Sequence, residues 1–180
     1  IRQWISGCPV CARHKGNKGK APLQQSPMGA PMEKVGVDLL GPLAITERKN
    51  KYILVVTDYF SKFSEAYAIA NIEAITVAQV LVNEFFARYG VSERIHSDQG
   101  RQFESDVFKE AMAIMGIQRS RSSAYHPQGS GQVERYNRTL VSMLAAFADT
   151  AQETWDDFLP LVMMAYRSTT HQSTGETPNR

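Results

Sequence analysis

The chain has 180 residues, 43% of them hydrophobic, and a formal net charge of +2. That apolar content supports one substantial core with an appendage and excludes a disordered or fibrous protein. The longest apolar runs fall well short of the ~18 residues that span a bilayer, and the amino terminus lacks a basic-then-apolar leader; a soluble intracellular protein with no membrane partner is expected.

The charge is uneven. Arg2, Arg13, Lys15, Lys18 and Lys20 give residues 1–32 a charge of +5 with no acid, so +2 overall less +5 leaves −3 for the remainder. Such an arm is read either as a solvated end or as a segment that follows nucleic-acid phosphates. Its Cys8-Pro9-Val10-Cys11 contains both cysteines of the chain. No thioredoxin-like strand precedes them, which argues against a redox pair. One CxxC with His14 nearby does not complete the four-coordinate shell of structural zinc, so the missing ligands are expected upstream of Ile1. Residues 16–32, with Pro22, Pro27 and Pro31 among Gly, Gln and Ser, read as a linker, and the folded domain is expected over 33–180.

In chain order, the domain opens with a strand over 34–40, stopped by Gly41-Pro42. Runs of β-branched and aromatic residues at Tyr52–Thr57 and Phe63–Ile69 complete an antiparallel meander. Val77, Val80, Leu81, Phe85 and Tyr89 are spaced for a helix over 75–89 that Gly90 ends. A short strand Arg94–Ser97, a helix Phe103–Met115 and a strand Ile117–Ser120 follow. The class is mixed α/β, with a five-stranded mixed sheet flanked by helices. Residues 122–131 have turn chemistry and predict a mobile loop. Beyond them Val133, Tyr136, Leu140, Leu144 and Phe147 form the buried stripe of a long helix. Glu134, Asn137, Arg138 and Val141 then lie on an adjoining face. A last helix over Trp155–Ser168 carries a core stripe, and Pro160 within it should kink it or shift its start.

Three acids stand out. Asp38 closes the apolar run Val35-Gly36-Val37, Asp98 follows the short strand, and Glu134 comes after 35 intervening residues. Taken singly, a strand-end Asp is usually a turn former and a helical Glu usually solvated. Together, three carboxylates would repel unless a cation neutralised them. Magnesium, which favours oxygen ligands and phosphates, suits that task, and two such ions about 4 Å apart promote in-line displacement at phosphorus. Asp58 is assigned to a turn between strands.

The ordered set Val37-Asp38-Leu39-Leu40-Gly41-Pro42, Val56-Thr57-Asp58-Tyr59-Phe60-Ser61-Lys62, His96-Ser97-Asp98-Gln99-Gly100-Arg101-Gln102-Phe103, Tyr125-His126-Pro127-Gln128 and Gly131-Gln132-Val133-Glu134-Arg135-Tyr136-Asn137-Arg138-Thr139-Leu140 resembles the catalytic core of retroviral and long-terminal-repeat retrotransposon integrases, the Ty3/gypsy-like group above all. The resemblance implies a ribonuclease H-like fold in which Asp38, Asp98 and Glu134 are the catalytic, metal-binding triad for two Mg²⁺ or Mn²⁺ ions. It implies DNA integration by a polynucleotidyl transferase that trims the 3′ ends of element DNA and joins them to target DNA. Tyr125, His126, Gln128 and Gly129 would border the site, and Asn137 and Arg138 would reach a phosphate. Cys8 and Cys11 match the second half of an amino-terminal His-His-Cys-Cys zinc domain, so that 1–15 is its remnant and Zn²⁺ binds only when that domain is complete. A homo-oligomer acting on element and target DNA is implied, in the nucleus at the site of action and otherwise in cytoplasmic retroelement particles. Two rivals share these residues: a ribonuclease H-like nuclease that hydrolyses without joining, and a domesticated, non-catalytic DNA-binding module.

Overall fold

The computed structural model describes residues 29–121, 131–147 and 152–179, with side chains throughout those ranges apart from 131–135, 147 and 152. Strands β1 (Lys34–Leu40), β2 (Tyr52–Asp58) and β3 (Ser64–Ile69) form the expected antiparallel meander. Strands β4 (Arg94–Ser97) and β5 (Gln118–Arg121) then add parallel to β1, giving the order β3-β2-β1-β4-β5. β1 is therefore central, and its carboxyl end lies beside that of β4.

Alternation along the strands divides the apolar residues between the two faces of the sheet. Val35 and Val37 of β1 and Leu54 and Val56 of β2 join one core cluster with Phe85, Phe103, Phe108 and Met112. Ile53 and Val55 join the other with Tyr136, Leu140, Trp155, Leu159 and Met163. Helices thus cover both faces. No helix among the described residues is long and apolar enough to cross a membrane.

The first face is covered by helix α1, which starts as Ala74–Val80, widens to a π-helical Leu81–Phe86 and closes with Ala87–Tyr89. The wide turn explains a departure from the expected stripe. It buries both Phe85 and Phe86, whereas Tyr89 is partly exposed and stacks against Phe63 and Phe85 at 5.0 and 5.2 Å. The single helix expected over 103–115 is two, α2 (Arg101–Glu104) and α3 (Asp106–Ile114). Ser105 between them is extended, and its hydroxyl accepts the Phe108 N–H at 3.2 Å. It is an N-cap signal that apolar periodicity does not register.

Helix α4 (Gly131–Phe147) buries Tyr136, Leu140 and Leu144 as expected and leaves Val141 exposed. Helix α5 (Trp155–Ser168) begins where predicted despite Pro160, behind a 3₁₀ turn at Gln152–Thr154. Its first residues fasten the β1–β2 loop. Buried Asp156 accepts from Thr46 Oγ1 at 3.0 Å and Asn50 Nδ2 at 2.8 Å, and Trp155 Nε1 donates to Ala44 O at 2.8 Å. Gly41 opens that loop at φ +127°, where a Cβ would stand 2.8 Å from Lys51 O, so only glycine fits.

Candidate metal-carboxylate site

The parallel register of β1 and β4 pairs Gly36 with His96. Two residues past that pair lie Asp38, within β1, and Asp98, directly after β4, so the two acids lie toward the same end of the sheet. Asp38 is half-buried and opposite Val55, on the face that α4 covers. Its Oδ1 accepts the Leu39 N–H at 2.8 Å, and its Oδ2 accepts Asn137 Nδ2 at 2.6 Å. That last bond ties the central strand to α4 one turn after Glu134. Glu134 lies within that helix.

Asp98 is exposed, and its Oδ1 accepts the Gly100 N–H at 2.9 Å. A Cβ on residue 100 would stand 2.9 Å from that same oxygen. Glycine in Asp98-Gln99-Gly100 is thus the residue that lets the backbone come this close to the carboxylate, a signal that a reading centred on the acids misses.

Asn137 is committed to the carboxylate of the central strand. It is 8% exposed and its amide donates to Asp38, while its Oδ1 has no hydrogen-bond partner among the described residues. Arg138 is exposed, as a phosphate contact requires. Tyr125, His126, Gln128 and Gly129, and Cys8 and Cys11, lie outside the described residues. Asp58 is a turn residue: it is 1% exposed and accepts from Met32 N, Ser61 N and Ser61 Oγ at 3.2, 2.9 and 2.6 Å.

Beneath the acids, burial and then the Asp38 charge raise the Tyr59 phenol above its ordinary range, so it stays protonated. Burial, followed by the charge of Lys34, lowers His96 to about 4. Its neutral ring shares a hydrogen bond with Ser120 Oγ at 3.0 Å. The Lys34 ammonium lies 4.9 Å above the Tyr59 ring.

The donor chemistry fits a hard divalent cation. Asp38 and Asp98 offer carboxylate oxygens, and the buried Asn137 Oδ1 is an acceptor in need of a donor such as a metal-held water. Among the described side chains, no three His, Cys, Asp or Glu group as a metal site.

The family model for the integrase core domain matches residues 29–127, more than half of the chain. The chain belongs to the integrase core domain family. It is 34% identical over 99% of its length to the Gag-Pol polyprotein of baboon endogenous virus, strain M7, and covers 10% of that polyprotein. It is 29% identical over 99% of its length to gypsy retrotransposon integrase-like protein 1 of Rattus norvegicus, of which it covers 34%. Among solved structures, the catalytic core domain of BIV integrase superposes with a TM-score of 0.66 at 28% identity, covering 82% of this chain and 91% of that one. The sheet order and flanking helices are those of integrase cores, and the fold is ribonuclease H-like. This integrase core spans a small part of the relatives it matches.

Proposed function

We propose that the chain is the catalytic core of a DNA integrase, a polynucleotidyl transferase that processes the 3′ ends of retroelement DNA and joins them to target DNA. The observation that carries this reading is the convergence of Asp38 and Asp98 at the carboxyl ends of adjacent parallel strands, with the helix bearing Glu134 docked on Asp38 through Asn137.

Asp38, Asp98 and Glu134 would hold two Mg²⁺ or Mn²⁺ ions. When bound, such ions activate the attacking hydroxyl and stabilise the leaving oxygen at phosphorus. The chain's own residues then have positioning tasks. Asn137 fixes one Asp38 oxygen, Gly100 fixes one Asp98 oxygen, and exposed Arg138 meets a backbone phosphate without reading bases. Tyr125, His126, Gln128 and Gly129 precede the Glu134 helix and line the entry of DNA. In the first reaction water attacks the phosphodiester and frees a 3′-hydroxyl. In the second that hydroxyl attacks a target phosphodiester, and a target 3′-hydroxyl leaves.

Joining two element ends to opposite target strands calls for a homo-oligomer. Segment 1–15 would contribute Cys8 and Cys11 as two ligands of a zinc domain, and 16–32 would link it to the core. Its site of action would be the nucleus, and otherwise it would reside in cytoplasmic retroelement particles.

The test is a strand-transfer assay with a labelled duplex ending in CA-3′, in Mn²⁺ and then Mg²⁺, comparing the chain with Glu134→Gln and including the reverse disintegration reaction. Joining or resolution that depends on Glu134 is expected. Hydrolysis without joining would replace this reading with a nuclease, and binding without cleavage with a DNA-binding module.

A further inference from the structure

Helix α2 is a single turn, and its apolar residue fixes it in place. Phe103 is 0% exposed and meets Phe108 edge to face with centroids 5.4 Å apart. The polar side chains on either side of that anchor are used differently. Glu104 is committed, its carboxylate accepting from Arg119 and Arg121, each at 3.2 Å. The Gln102 carbonyl accepts Ser105 Oγ at 3.1 Å, but the carboxamide of this half-buried side chain has no hydrogen-bond partner among the described residues.

Gly100 shows where that carboxamide sits. A Cβ on residue 100 would stand 2.3 Å from Gln102 Nε2, 2.9 Å from Gln102 Cδ and 2.9 Å from Asp98 Oδ1. The Gln102 side chain therefore folds back over the glycine, and its amide and the Asp98 carboxylate flank one point. Only a residue without a Cβ leaves that point open. The two groups do not bond each other, since Asp98 Oδ1 takes its proton from the Gly100 N–H at 2.9 Å.

A neutral donor in this place has a use that a cation would not. An ammonium or guanidinium beside Asp98 would pair with it and compete with a divalent ion for the carboxylate. A carboxamide leaves the Asp98 charge free and still offers two N–H donors. Next to a carboxylate-held divalent ion the acceptor at hand is a phosphate oxygen, because such ions are shared between protein carboxylates and substrate phosphates.

We infer that Gln102 is a DNA-binding residue of the carboxylate site, its Nε2 donating to a non-bridging oxygen of the phosphodiester that enters beside Asp98. The inference rests on the integrase reading for the identity of that ligand. Without a cation the Asp98 charge repels the phosphate, so the contact forms only when the site is loaded.

The experiment measures binding of a fluorescein-labelled duplex by anisotropy, in EDTA and in Ca²⁺, which takes the same kind of oxygen ligands. Ca²⁺ should tighten binding by the parent chain. Gln102→Ala should remove about tenfold of that gain, the scale of one hydrogen bond to a charged acceptor, and bind as the parent does in EDTA. Because the lost group is neutral, the slope of log affinity against log salt should stay the same, whereas Arg138→Ala should reduce it by about one. Gln102→Glu keeps the side-chain length and adds a carboxylate next to Asp98. Calorimetry without DNA should then show Mn²⁺ bound about tenfold tighter than by the parent. If the alanine variant loses its melting transition, the isosteric glutamate variant carries the test.

An undiminished Ca²⁺ gain in folded Gln102→Ala overturns the inference, as does unchanged Mn²⁺ affinity in Gln102→Glu or a parent chain that gains nothing from Ca²⁺. Failure of the integrase reading looks different: the Ca²⁺ gain keeps its dependence on Gln102, and no strands are joined.

Discussion

Asp58 ends β2 at one end of the sheet and is 1% exposed, its oxygens taken up by backbone and hydroxyl donors of the turn that follows. Asp98 follows β4 at the opposite end and is exposed, with the Gly100 N–H as its one donor among the described residues. The residue type and the strand-end position are the same, and the environments are opposed. A carboxylate whose lone pairs are filled by the protein holds structure; one left open to solvent beside a second acid is available for a cation. Asp38 lies between these extremes, half-buried on the central strand and fixed by Asn137.

The contrast breaks if the two acids can be exchanged in effect. Asp98→Asn should lower metal-dependent strand transfer by about 1,000-fold or more, equivalent to roughly 4 kcal/mol of transition-state stabilisation, while the urea midpoint stays put. Removing one of two neighbouring negative charges gives the fold no reason to weaken. A drop in the midpoint would show Asp98 to be structural. Asp58→Ala should do the reverse, costing about 2–4 kcal/mol of stability because several turn donors lose their acceptor at a buried position. Unchanged denaturation curves would remove the structural role assigned to it.

The buried layer beneath the acids gives a pH signature. His96 has a folded pKa near 4 against 6.5 for its ordinary value, so between those limits the unfolded chain binds the proton and the folded one does not. Its contribution to stability is fully present above about 6.5, falls as pH drops toward 4 and changes no further below. A loss of about 1–3 kcal/mol across that window is expected, and His96→Gln should flatten this part of the profile. Urea titrations at stepped pH that give parallel curves for both proteins would contradict the assignment.

The smallest effect sharpens the contrast most. Gly100→Ala brings a methyl group against Asp98 Oδ1 and the end of the Gln102 side chain, both of which can shift. Strand transfer should fall by about tenfold, roughly 1.4 kcal/mol, with stability within about 0.5 kcal/mol of the parent. Equal activity would mean that the Asp98 position is tolerant of this displacement.

Much of this was legible in the sequence because the determining interactions are local. Period-two alternation places Val35, Val37, Leu54 and Val56 on one face of the sheet, and the glycine and proline punctuation at Gly41-Pro42 and Gly90 sets the element ends. The ordered motifs around Asp38, Asp98 and Glu134 named the family. Local rules also account for two misreadings, since the Ser105 cap and the π turn at Leu81–Phe86 are cases where a short-range signal competes with a 3.6-residue period. Tertiary structure decided the rest. Only the parallel pairing of β1 with β4 brings Asp38 beside Asp98, 60 residues away in the chain. Only the docking of α4 turns Asn137 from a solvent-facing amide into the partner of Asp38. Spacing along a chain specifies which face a side chain shares with its neighbours, whereas which distant group it meets follows from how the layers pack, and that depends on all of the faces at once.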